Sequence, residues 1–281
     1  MIKKRKKKWK KRLLIFFSSL IILIIVLGIV FNQFVYMLIF HFGYSQVYNG
    51  NNERGNKIME YAISKLKSPN AKIYHALSVQ NTKNGNYDIA ISSLEKSYRM
   101  NPNEAGAYYG WVLLYYYHDY EMALEVLNRY DDSTPRFSDW PMGECIHYLK
   151  GLAHKELGDF KLAIQEFNIS IGNTSKKHGE DWVDYQVFLN KGISFFYLEE
   201  YDKAIIEFDR VIKNYDKCSE AYYFKGLSQL KLLNSNLGCS NLNKALSLIS
   251  QGYKSSDTYV ELFHEIYVQQ VEQSILENCY N

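Results

Sequence analysis

A short pattern centred on an alanine returns five times along this chain of 281 residues. The central alanines are spaced by 33, 40, 41 and 41 residues: Ala90, Ala123, Ala163, Ala204 and Ala245. Three positions before each stands an aromatic residue, or a leucine in the fifth copy: Tyr87, Tyr120, Phe160, Tyr201 and Leu242. Four positions after each stands a large apolar residue: Leu94, Leu127, Phe167, Phe208 and Ile249. Self-similarity at a period of about 30–45 residues is typical of stacked structural units.

The spacing within the pattern predicts its secondary structure. Offsets of −3, 0 and +4 place three residues on one face of a helix, and an alanine in the middle allows a second helix to approach closely. A small residue upstream of each alanine does the same for the preceding helix: Ser78, Gly110, Gly151, Gly192 and Gly226. Each unit is therefore predicted to be a helix–turn–helix that buries its apolar face by stacking on the next unit.

At this point the chain resembles the tetratricopeptide repeat family. The best match spans residues 71–102, with these residues in the positions of the family pattern: Tyr74, Leu77, Ser78, Gly85, Tyr87, Ala90, Leu94 and Pro102. The resemblance covers roughly residues 45–281 and implies an all-α solenoid of about five repeats with a C-terminal capping helix. The long spacings depart from the family, and we expect the extra residues in connections at 131–141, 172–181 and 232–238.

The N-terminal residues predict a membrane anchor. Nine Lys or Arg residues lie within 1–12, followed by an uncharged apolar run over 13–31 that would span roughly 28 Å as a helix. A cleaved signal peptide is the alternative, but the run is longer than a usual signal core and no A-x-A cleavage site precedes residue 62. The positive-inside rule places the N-terminus in the cytoplasm, with Trp9, Tyr36 and Tyr44 at the two membrane interfaces.

The predicted organisation has five parts. These are a basic tip (1–12), a transmembrane anchor (13–42), a linking helix or degenerate first repeat (43–70), the repeats (71–256) and a capping helix (257–281). The capping helix is predicted from five apolar or aromatic residues at helical spacing: Tyr259, Leu262, Phe263, Ile266 and Val271.

Beyond the basic tip the chain holds 24 basic and 30 acidic residues, a balance that argues against nucleic-acid binding. The composition is typical of a low-GC bacterial genome, which makes a bacterial plasma membrane the predicted location.

In the family, the first helix of each repeat lines a concave groove. Transferring those positions, with Trp111 rather than Gly110 as the reference residue of the second unit, gives candidate partner-binding residues: Tyr108, Val112, Tyr115, Tyr116, Tyr148, Leu152, Leu189, Ile193, Phe196, Tyr197, Tyr223 and Leu227. Lys155, Glu156 and Lys231 occupy further groove positions. The Lys and Asn pair with which some family members bind acidic chain termini is missing, so such ligands are not expected. The alternative is that many of these tyrosines serve helix packing.

Catalytic chemistry and cofactors are not expected. No phosphate-binding loop or hydrolase motif occurs, and the local grouping of Glu144, Cys145, His147 and His154 is interpreted as solvated helix residues rather than a metal site. The four cysteines allow disulfides outside the cytoplasm, but buried free thiols are the expectation, and a Cys218–Cys239 bridge is unfavourable across a helical hairpin.

The predicted function is a non-enzymatic scaffold that is tethered to a membrane and binds a protein or peptide. Two alternatives stay open. The chain could be an accessory or assembly subunit that self-associates or packs through its anchor, which an apolar contact surface over Phe34–Phe42 would favour. An enzyme would need a polar, convergent pocket that the sequence does not display.

Overall fold

In a computed structural model, the chain folds into two compact α-helical units, Met1–Asn101 and Pro102–Asn281. The structure describes residues 2–136, 138–257, 260 and 262–280, and it describes no side chain at positions 2–14, 24, 25 and 29. The predicted basic tip, the interface role of Trp9 and the packing of Tyr259 therefore lie outside the described residues. Within the described residues no strand forms.

The first unit contains four helices, α1 to α4. Their bounds are Ile2–Tyr48, Asn52–Lys65, Ala71–Lys83 and Tyr87–Met100. The second unit contains α5 to α13, with these bounds: Pro102–Val112, Tyr120–Asp132, Ile146–Glu156, Phe160–His178, Tyr185–Tyr197, Tyr201–Asn214, Ser219–Lys231, Ser235–Ser250 and Val268–Cys279. A π-helical turn, Leu113–Tyr117, follows α5 directly, and short 3-10 turns lie at Pro141–Gly143 and Glu180–Trp182.

Six helical hairpins repeat one turn geometry. In each, a residue one or two positions after the first helix has a left-handed backbone with φ between 52° and 86°: Gly50, Gly85, His118, Gly158, Glu199 and Leu233. The next backbone N–H donates back into the helix, as from Asn86 to the Asn81 carbonyl at 2.9 Å, which is the Schellman ending of a helix. The same turn therefore forms with glycine and with other residues at the left-handed position.

The predicted contact between the small residue and the large apolar residue forms in the middle hairpins. A Cβ added at Gly151 would lie 2.5 Å from the Phe167 ring, and one at Gly192 would lie 2.6 Å from the Phe208 ring. Both phenylalanines are fully buried. Glycine is therefore needed at these positions because the second helix presses an aromatic ring onto the backbone of the first.

The predicted register of the last hairpin is wrong. Gly226 faces Leu242 and the carbonyl of Gly238, so Gly238 rather than Ala245 takes the central position. The spacing from Ala204 to Gly238 is 34 residues, and α12 begins at Ser235, so the predicted insertion at 232–238 shrinks to a three-residue turn. A glycine replaces the alanine at the true centre, whereas Ala245 lies two helical turns later and is also buried.

A further hairpin forms where the anchor helix enters the first unit. Asn32 and Gln33 do not interrupt α1, which continues to Tyr48 and packs against α2. A Cβ at Gly43 would lie 2.9 Å from the carbonyl oxygen of Gly55, and Phe40 and Val47 are buried against Met59, Ala62 and the apolar residues of α3. The last turns of α1 therefore serve as the first helix of a repeat-like hairpin.

The other connections also differ from the expectation. Helix α8 runs to His178, so most of the predicted loop at 172–181 is helical, and the connection is confined to 179–184. The loop at 131–141 begins after Asp132 and extends to Cys145. The capping helix begins only at Val268, because residues 253–257 and 262–267 form an irregular segment within the second unit.

Candidate functional site

The first helices of the second unit's hairpins, α5, α7, α9 and α11, form the surface that we call the groove. Most of the predicted groove residues are buried in it or beneath it: Tyr108, Val112, Tyr115, Tyr148, Leu152, Leu189, Ile193 and Tyr223. Three are partly covered, namely Tyr116, Phe196 and Leu227, and Tyr197 is 46% exposed. Part of this burial is provided by residues that follow α12 in the same chain.

The described residues 253–257, 260 and 262–267, which we call the return segment, follow α12 and contact the groove before α13 begins. Phe263 stacks on Tyr115 with ring centroids 5.5 Å apart and meets the edge of Tyr120 at 6.0 Å. The ammonium of Lys155 lies 5.4 Å from the centre of the Phe263 ring. A phenyl ring is therefore held between two tyrosines and a cation, an arrangement that combines stacking with a cation–π contact.

His264 occupies the neighbouring part of the groove. Its Nε2 lies 3.3 Å from Glu156 Oε1, and the same oxygen lies 2.9 Å from Lys155 Nζ, at angles that do not satisfy hydrogen bonds. Burial lowers the pKa of Lys155 to about 8, against the raising effect of Glu156. Burial acts to raise the pKa of Glu156, but His264 and Lys155 outweigh it and lower the value to about 2. Burial also lowers the pKa of His264.

The two ends of the return segment are held by other contacts. At its start, the backbone N–H of Ser255 donates to Glu220 Oε1 at 2.8 Å, and the side chain of Lys254 bonds to Glu265 within the segment at 2.7 Å. At its end, Ile266 is buried. Between Ser255 and Ile266, the described residues of the segment are only partly covered or exposed.

Helix α13 fastens the C-terminal side of the return segment. Tyr223 shares hydrogen bonds with Ser274 at 3.2 Å and with Gln270 at 3.3 Å. Cys279 forms a disulfide with Cys239 of α12. The expectation of four free thiols is therefore wrong for this pair. The irregular return segment brings α13 alongside α12, which the expected continuous helix from residue 257 did not suggest. Cys145 and Cys218 are free and buried.

Glu144 holds the aromatic side chains at one end of the groove in place through hydrogen bonds. Its carboxylate accepts hydrogen bonds from Trp111 Nε1 at 2.7 Å and from the Tyr115 hydroxyl at 2.9 Å. Burial raises the pKa of Glu144, against the lowering effect of these two donors. The interpretation of Glu144 and His147 as solvated residues is wrong, because Glu144 faces α5 and His147 pairs with Glu166 of α8 at 2.7 Å. No group of His, Cys, Asp or Glu among the described residues is placed to hold a metal.

The two long connections border a cleft beside Glu144. The exposed Trp140 and Trp182 flank it, and Tyr148 and Asp184 are among the residues that line it. Asp184 also caps α9 by accepting from the Gln186 backbone N–H at 2.9 Å. The residues inserted relative to a regular repeat are thus placed next to the groove.

Models of the tetratricopeptide repeat match residues 71–104, 146–171 and 189–234, which correspond to α3–α4, most of α7–α8 and α9–α11. These segments are tetratricopeptide repeats, and the predicted all-α, TPR-like solenoid fold is confirmed. No curated protein matches the chain in sequence.

Solved structures share the fold at low identity. MamA from Desulfovibrio magneticus RS-1, residues 41 to the end, is 17% identical with a TM-score of 0.55, over 64% of this chain and 96% of that one. The C-terminal part of a TPR protein from Cytophaga hutchinsonii is 19% identical with a TM-score of 0.56, over 76% and 80%. YrrB, described as a TPR protein with an unusual peptide-binding site, is 16% identical with a TM-score of 0.51, over 64% and 86%.

Several residues that build the groove were not predicted as site residues. Phe263 and His264 were assigned to a capping helix, and Trp111 and Glu144 were not connected with each other. Their sequence signal is weak because the contacts join segments far apart in the chain, and the helical spacing of Leu262, Phe263 and Ile266 is also compatible with an irregular strand-like path.

Proposed function

We propose that this protein is a non-enzymatic scaffold, tethered to a membrane by α1, whose groove in the second unit binds a protein or peptide partner. The observation that carries the proposal is that the groove already holds a stretch of this chain. An irregular stretch of polypeptide, the return segment, already lies across the first helices of several repeats. A surface that holds this stretch through aromatic stacking, a carboxylate and backbone contacts has the chemistry that peptide recognition needs.

The tether is supported by the exposed part of α1. Residues Ile15–Tyr48 are apolar and long enough to cross a membrane, a test that a signal sequence would also pass. The described large apolar side chains between Ile15 and Phe31 are all exposed. Ser18 and Ser19 donate their hydroxyls to the carbonyls of Ile15 and Phe16, at 2.9 and 2.8 Å, so these two polar groups are satisfied within the helix, as a lipid environment requires.

The second unit is proposed to lie outside the cytoplasm. The basic residues at the N-terminus favour a cytoplasmic tip. The disulfide between Cys239 and Cys279 fits an oxidising compartment, because cytosolic thiols are kept reduced. A cysteine placed at the exposed position of Trp182 should react with a membrane-impermeant maleimide on intact cells. Labelling only after lysis would contradict this topology.

Site-specific photo-cross-linking tests the binding role. A benzoylphenylalanine at Tyr197 would sit in the groove, and one at Ile206, which is 59% exposed on α10, would sit on a second helix of a repeat. We expect a discrete cross-linked partner in native membranes from position 197 and none from position 206. The reverse result would place the partner on the other face and refute the groove.

An accessory role in a membrane complex is the second candidate. One face of the second half of the anchor stays open: Phe34, Leu38 and Phe42 are exposed at a spacing of one helical turn, whereas Phe40 packs into the first unit. This apolar stripe would suit another transmembrane helix. Native gels of the full chain and of a Phe34→Ala/Leu38→Ala variant separate the two functions. Loss of a complex in the variant, with cross-linking from Tyr197 unchanged, supports anchor-driven assembly.

A further inference from the structure

We propose that the return segment is a built-in competitor for the groove and that its Phe263–His264 pair displays the chemistry of the partner: a peptide with an aromatic side chain followed directly by a histidine. The inference rests on the proposed binding role of the groove and adds to it the class of ligand and the way in which access is controlled.

The aromatic part of the groove is specific for a flat ring. Tyr115 provides the stacking face at an interplanar angle of 18°, Tyr120 provides an edge contact, and Lys155 places its ammonium against the ring. Tyr115 is itself fixed by its hydrogen bond to Glu144. An aliphatic side chain would fill the volume but would lose both the stacking and the cation–π contact.

The adjacent part of the groove suits a neutral imidazole, because a carboxylate and an ammonium group both lie beside it. Glu156 has one neighbouring cation, Lys155, and its second neighbour is His264 of the return segment. If the segment leaves, a largely buried carboxylate loses one of these two neighbours, and an incoming imidazole restores it. A partner with an acidic residue at this position would face like-charge repulsion instead.

The construction of the segment allows its middle to lift while its ends stay in place. Ser255 and Ile266 are buried at the two ends, and α13 is held by the disulfide between Cys239 and Cys279. The described residues between these ends are only partly covered or exposed, so their own side chains lose little burial when the middle opens. Such a segment binds the groove more weakly than a buried part of the fold would. It still competes strongly with separate peptides, because its covalent attachment gives it a high effective concentration at the groove.

The competition has a measurable size. If the segment is docked in nine molecules of ten, a free peptide binds with one tenth of its intrinsic affinity, since the apparent dissociation constant is the intrinsic one divided by the open fraction. Removing the competing side chains should therefore tighten peptide binding by about tenfold or more.

The test uses the full chain in detergent micelles and a fluorescein-labelled synthetic peptide of residues 253–267. We expect the Phe263→Ala/His264→Ala double variant to bind the peptide at least about tenfold more tightly than the unaltered chain. The exposed Ser256→Ala change is the matched control and should leave the affinity unchanged. Adding Glu156→Gln to the double variant should abolish the gain, and so should replacing Phe and His with Ala in the peptide.

A second measurement needs no variant of the groove. Hydrogen exchange of the unaltered chain, with an isotope-labelled peptide in excess, should accelerate at residues 260–265 while α13 stays protected. Equal peptide affinity for the unaltered chain and the double variant, with no change in exchange, would overturn the proposal. This failure is distinct from failure of the proposed function, because a native partner cross-linked at Tyr197 with equal yield in both chains would retain the groove and remove only the competitor.

Discussion

Replacement of Gly55 by alanine should break the hairpin that joins the anchor helix to the first unit. A Cβ at this position would lie 2.5 Å from Val47 Cγ2, 2.7 Å from the Gly43 carbonyl oxygen and 2.7 Å from the Val47 backbone N. Two of these three neighbours are backbone atoms and cannot rotate away. The last turns of α1 and the start of α2 must therefore move apart, and the buried contacts of Val47 and Met59 loosen with them.

The magnitude follows from two opposing effects. Overpacking a close contact costs about 1–3 kcal/mol, and the upper end applies here because the neighbours are backbone. Alanine gains about 1 kcal/mol over glycine in a helix interior. The net expectation is a loss of about 2 kcal/mol in the free energy of unfolding of the first unit.

Hydrogen exchange of the full chain in micelles provides the assay, read separately over α2 and over the helices of the second unit. Gly172→Ala is the matched control, since nothing lies within 4 Å of a Cβ at this position of α8. It should stabilise α8 by about 0.5–1 kcal/mol, because only the helix preference acts.

Unchanged or slower exchange over α2 in Gly55→Ala would refute the reasoning. It would mean that α1 and α2 do not approach each other as closely as the shared Gly43–Gly55 contact requires. The end of the anchor would then act as a linker rather than as part of a repeat. A uniform loss across both units would equally contradict it, because the contact lies within the first unit alone.

Three further outcomes are expected. Leu233→Gly should raise the stability of the second unit by about 0.5–1 kcal/mol in denaturant titration, since Leu233 has a left-handed φ of 60° and is 90% exposed. A loss of stability would show that the Leu233 side chain makes packing contacts. Docking of the return segment should weaken as the pH falls from about 7.5 to 5.5, because the pKa of His264 is lowered on folding and protons favour the undocked form. Exchange at residues 260–265, corrected for intrinsic rates, measures this, and a His264→Gln variant should show a flat profile. Cys279→Ser opens a loop of sequence separation 40 and should lower the stability of α13 by up to about 4 kcal/mol in thermal melts without reductant; an unchanged melt would mean that α13 is held by packing alone.

The repeat fold was predictable because its cause is local. The offsets between Gly151, Ala163 and Phe167 are set by two helices that touch at one point, and the same offsets appear wherever the contact recurs. The hairpin at Gly43–Gly55 and the register of the hairpin at Gly226–Gly238 escaped this pattern because glycine stands at both contact positions. A search that allowed glycine in place of the alanine would have found the first hairpin and the spacing of 34 residues in the last unit.

The groove residues were less predictable, since their surroundings depend on long-range folding. The repeat pattern identifies Tyr115, Glu156 and Tyr197 as groove positions from local spacing alone. It contains no information on what covers them, because the return segment is more than 100 residues away from Tyr115 in sequence. The apolar spacing of residues 262–271 suggested a helix, whereas the aromatic and charged contacts offered by the groove stabilise an irregular path instead.

The departures from a regular repeat converge on the same surface. The one-residue insertion between Gly110 and Ala123 is absorbed by the π-helical turn Leu113–Tyr117, which contains Tyr115. A π-helical turn at such a place is a common sign of a functional position. The long connection after α6 supplies Glu144, whose carboxylate fixes Tyr115 and Trp111. The irregular residues after α12 supply Phe263, which stacks on that same tyrosine. A regular array would stack without any of these three features, so their concentration around Tyr115 supports the proposal that this end of the groove binds the partner.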